Sequence, residues 1–142
     1  MKLSLTVAIA LTGFSIAGLL MCVSTFFGIG ARANPALVDT SFPTKAIIGA
    51  LIFVGSTVIL LAGYRWKRRT TAWSLAVFGL PIAAFGWAYY SIAIILSDPL
   101  ALFPIPLGVG LTIAHGFKLV DVFKEEVMTR KNVEALKNAR TP

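Results

Sequence analysis

Charged side chains are missing from four long stretches of this chain. The gaps run 29 residues between Lys2 and Arg32, 19 between Lys45 and Arg65, 28 between Arg69 and Asp98, and 19 between Asp98 and Lys118. A helix rises about 1.5 Å per residue, so about 20 apolar residues cross the ~30 Å hydrocarbon core of a bilayer. A lone segment in lipid must satisfy its own backbone hydrogen bonds, which makes each stretch a helix. The sequence therefore predicts an all-α integral membrane protein. Four transmembrane helices, at about 3–28, 46–64, 71–96 and 106–122, are expected to form an antiparallel bundle. Residues 1–123 form that domain, and 124–142 form a basic cytoplasmic tail that extends the last helix.

Composition agrees, with 57% hydrophobic and 13% charged residues, outside the range of soluble globular domains. The net charge of +7 comes from residues beside the apolar stretches. Orientation and anionic lipid headgroups account for it without nucleic acid.

The loops set the expected orientation. Arg65, Lys67, Arg68 and Arg69 crowd one short connection without an acid, which places that loop in the cytoplasm against anionic headgroups. On the opposite side Arg32, Asp39, Lys45 and Asp98 cancel, and the segment after span four adds Lys118, Lys124, Arg130, Lys131, Lys137 and Arg140. Both termini are then cytoplasmic. Trp66 and Trp73 flank the basic loop and Trp87, Tyr89 and Tyr90 fall towards the far end of the third span, where aromatic belts anchor helices. Ala31-Arg32-Ala33 has the form of a signal-peptide cleavage site, but the apolar run before it is much longer than a signal core, so the first span is expected to stay. Pro35 and Pro43 punctuate the first external connection. Phe103-Pro104-Ile105-Pro106 is expected to run irregularly before the last helix resumes. Pro81, inside the third span, removes the bond to the Val77 carbonyl and favours a kink.

Catalytic chemistry has little to stand on. No Asp, Glu, Lys or Arg lies deep in a span, which argues against an ion-coupled transporter or pump. His115, the single histidine, is a weak cofactor candidate: it supplies one ligand where haem or metal sites use several. Cys22 has no partner for dithiol chemistry. No serine–histidine–acid set, phosphate loop or paired-carboxylate motif is discernible, so no enzyme, cofactor or metal is expected.

The positive signal is small residues spaced four apart, which let helix backbones approach in lipid. Gly13 and Ala17, Gly79 and Ala83, and Gly110 and Ala114 are the leading pairs, with Gly18 and Cys22 and several alanine pairs beside them. They favour packing against further membrane subunits, hetero- or homo-oligomeric. The expected function is a non-catalytic subunit or accessory factor of a larger membrane complex. The alternatives are a small interaction protein, such as an immunity protein against a pore-forming toxin, or a homo-oligomeric channel or carrier with Thr6, Thr12 and Ser15 as lining residues. Compact size and short loops suggest a bacterial inner membrane.

Overall fold

The computed structural model describes residues 4–27, 40–64 and 68–138, leaving aside the side chains of Arg69 and Lys137. They form four helices: α1 (Leu5–Phe26), α2 (Phe42–Tyr64), α3 (Arg69–Ser97) and α4 (Pro104–Asn138). All four are long and apolar enough to cross a membrane, which fits a multi-pass membrane protein. At about 1.5 Å per residue, α1 and α2 are about 33 and 35 Å long, α3 is about 44 Å and α4 is about 53 Å.

Local chemistry sets the ends. Ser4 caps α1, its hydroxyl accepting from the Val7 N–H at 3.3 Å. Helix α2 begins at Phe42, four residues before the expected start at 46, so Pro43 and Lys45 lie in its first turn. Proline fits there because first-turn N–H groups have no acceptor within the helix. The same reason corrects the expected irregular stretch before the last helix: α4 starts at Pro104 with Pro106 in its first turn. Helix α3 runs unbroken through Pro81, and α4 continues beyond 122 to Asn138, with the described side chains of its last two turns exposed.

The helices pack in chain order, α1 on α2, α2 on α3 and α3 on α4. Close approach at glycines makes the first two interfaces. A β-carbon added to Gly18 would lie 2.6 Å from the Phe53 backbone nitrogen, and one on Gly49 would lie 2.8 Å from the Gly18 carbonyl. Beside them the Cys22 thiol donates to the Ala46 carbonyl at 3.4 Å, and Thr57 donates to Ser15 at 3.3 Å. Gly55 backs onto Ala83, Gly79 onto Val58 and Ile59, and Gly86 onto Leu51 and Ile52. On the third interface, Gly108 of α4 makes room for Ser91.

The core divides in two along the helices. One cluster gathers Leu11, Ile59, Ala62, Ala76, Leu80, Ala83 and Val122, and the other Ile48, Ile52, Trp87, Tyr90, Ala93 and Ile94. Trp87 and Tyr90 therefore correct the reading as belt anchors. They are 7% and 8% exposed, and Trp87 sits edge-on to Phe14 of α1 (5.0 Å between centroids) and to Tyr90 (5.7 Å). Position along the chain estimates depth but not face: these rings continue the Ala83 face of α3, whereas Tyr89 points outward.

Candidate functional site

Sequential packing leaves a gap. Helices α1 and α4 form no interface comparable to the other three, and a cleft of about 500 Å³ lies between them. Its floor is Ile59 of α2 and Leu80 of α3. Val7, Leu11 and Phe14 form one wall, Leu111 and Ala114 the other, so most of its lining is hydrocarbon. Polar groups enter from Ser4 on α1 and from His115 and Lys118 on α4.

Helical spacing brings the α4 residues together, since positions 111, 115 and 118 follow the i, i+4, i+7 rule for one face. His115 is only 8% exposed. Its Nδ1–H donates to the Leu111 carbonyl one turn back, at 2.6 Å. This bond fixes the ring and leaves Nε2 free to meet a ligand. As a cofactor ligand the residue would offer Nε2 alone. Among the described residues, no three His, Cys, Asp or Glu side chains gather where they could hold a metal.

Two further hollows lie among the described residues. One of about 380 Å³ is lined by Ser41, Thr44, Tyr89, Ile92, Leu96 and Ser97, where α2 begins and α3 ends. Another, of about 530 Å³, lies between Thr70, Trp73 and Ser74 of α3 and the extended part of α4. There Arg130 Nε donates to Glu126 at 3.1 Å, and Trp73 meets Phe123 edge-on at 6.1 Å.

The small-residue pairs divide by position. Gly79 and Ala83 are buried against α2. Gly13 and Gly110 have open space where a β-carbon would stand, and Ala17 and Ala114 are exposed. At 100° per residue, Gly13 lies about 200° around α1 from buried Leu11, and Gly110 about 200° around α4 from buried Gly108. Of the proposed pore-lining residues, Thr12 returns its hydroxyl to the Ala8 carbonyl and Ser15 faces α2. Of the basic loop, Arg65, Lys67 and the adjoining Trp66 lie outside the described residues, as do Arg32, Asp39 and the Ala31–Ala33 motif. Arg68 is exposed before α3, and Arg69 opens that helix.

Sequence reasoning missed the cleft. Its polar end joins residues more than a hundred positions apart, and spacing along one helix carries no signal of which helix stands opposite. In comparisons with protein-family models, curated proteins and solved structures, nothing matches this chain.

Proposed function

We propose that this chain is a non-catalytic subunit or accessory factor of a larger membrane complex, held in a bacterial inner membrane as an antiparallel four-helix bundle with both termini in the cytoplasm. The direction of the helices is supported by their register, in which residues 15, 18 and 22 of α1 meet 57, 49–53 and 46 of α2. The orientation is supported by the four basic residues between α2 and the start of α3.

One observation carries the subunit reading. The two outer helices each carry an exposed small-residue pair, Gly13 with Ala17 and Gly110 with Ala114; both glycines face open space, and Ala114 also edges the cleft. Within the bundle, equivalent residues are where backbones meet. Against lipid a larger apolar side chain serves equally well, whereas a partner helix gains closer van der Waals contact from a missing one. The test is purification of the tagged protein from its native membrane in mild detergent, with identification of everything retained at fixed stoichiometry. Gly13→Leu and Gly110→Leu should release the partners while the chain still extracts as a folded helical protein. Recovery of the wild-type chain alone, as a monomer, would overturn the reading. A homo-oligomer giving ion flux in liposomes would favour the channel.

A further inference from the structure

We propose that the cleft between α1 and α4 is a lipid site: it takes one acyl chain of an anionic phospholipid whose headgroup carries a free hydroxyl. The proposal rests on the helices crossing a bilayer and is independent of the subunit reading. Three observations converge on it. First, the trough is hydrocarbon over most of its length, at Leu11, Phe14, Ile59, Leu80 and Leu111. Its volume of about 500 Å³ lies within the ~300–1,000 Å³ typical of small-molecule sites.

Second, the polar groups at the cleft suit an anion. Lys118 lines it and makes no ion pair among the described residues, while Asp121 and Glu125 of the same helix do not line it. Ser4 is the N-cap of α1, so the positive end of the helix dipole opens onto the same site. Ser4 serves the Val7 N–H, which leaves the first-turn N–H groups of Leu5 and Thr6 without an acceptor in the helix.

Third, His115 is a polar side chain more than nine-tenths buried on the cleft wall, with Nδ1 committed to the Leu111 carbonyl and Nε2 unpartnered. In the neutral ring that bond makes Nε2 an acceptor. An acceptor beside an anion site selects a headgroup that also donates, as the glycerol hydroxyls of phosphatidylglycerol do. Lys118 and the α1 terminus take the phosphate, and His115 takes a hydroxyl. The chain in the trough commits the occupant to a lipid rather than free phosphate.

Retention of lipid through purification tests this directly. The full-length protein is loaded in nanodiscs of equal parts phosphatidylglycerol and phosphatidylcholine, transferred to mild detergent, and weighed by native mass spectrometry. One phosphatidylglycerol should remain bound, in preference to phosphatidylcholine. Lys118→Gln should lower retention about fivefold or more, with Lys118→Arg restoring it. His115→Ala should narrow the preference for phosphatidylglycerol over phosphatidic acid, which lacks the glycerol hydroxyls. Leu111→Trp, which fills the trough, should expel the lipid, whereas Gly13→Leu on the opposite face should not. Thermal unfolding of each variant separates lost binding from lost fold. Equal retention of the two nanodisc lipids, or unchanged retention in both Lys118→Gln and Leu111→Trp, would overturn the proposal. So would displacement of the lipid by millimolar inorganic phosphate.

Discussion

Two glycines on the same helix, Gly13 and Gly18, have opposite tolerance for a methyl group. At Gly18 the added carbon would meet backbone of α2, which cannot rotate away, whereas at Gly13 it would meet open space. Gly18→Ala should therefore cost about 1–3 kcal/mol of bundle stability. Gly13→Ala should be neutral or stabilise slightly, since alanine favours the helix by about 0.5–1 kcal/mol. Loss of helicity during titration from mild detergent into sodium dodecyl sulfate measures both. Ser56 offers a second contrast: it is wholly buried and its hydroxyl has no partner. Removing an unpaired buried hydroxyl relieves a desolvation penalty, so Ser56→Ala should raise stability in the same titration, by about 1 kcal/mol. The spacing of small residues was legible in the sequence at both Gly13 and Gly18. Which of them meets a neighbouring helix was not, because that depends on how α1 is rotated about its own axis.

Among the elements, α4 shows both what the charge gaps reveal and where they mislead. Its apolar half was legible from the residues between Asp98 and Lys118, and its continuation from the helix formers beyond Asp121. The start was misjudged at Pro104 and Pro106, as the start of α2 was at Pro43 and Lys45. A proline or a charge reads as an interruption in a linear scan, yet both are accommodated in a first turn, where donors are already unpaired and a long side chain reaches past the helix end. The Glu126–Arg130 pair on the extension contributes little, since the arginine side chain is 71% exposed. Glu126→Gln should change stability by less than about 0.5 kcal/mol. Stopping the chain after Glu134 should leave the unfolding midpoint in place, because the remaining described turn is exposed. Differential scanning fluorimetry on the two variants checks both statements.

For the whole molecule, the number of long apolar helices was readable from charge alone, because lipid penalises every charged residue in a span. The cleft was not readable, because it arises from two helices failing to close a ring. Proposed orientation makes a separate prediction: cysteines placed at Thr40 and at Asn138 should label from opposite sides of sealed vesicles, Asn138 from the cytoplasmic side. Labelling of both from one side would require an even number of crossings between them, and three helices supply an odd one.

The order of packing also bears on how the protein is made. Each helix after the first packs on the one synthesised just before it. As the chain leaves the ribosome, α2 can settle on α1 while α3 is still being translated, and no interface has to wait for a distant segment. Contacts between successive elements carry little loop-closure entropy and form early. A chain ending at Ser97, once released into the membrane, should already hold Gly18 against Gly49 and Gly55 against Ala83. The last helix would then arrive at a finished surface, docking along α3 and leaving its other side to whatever the membrane supplies.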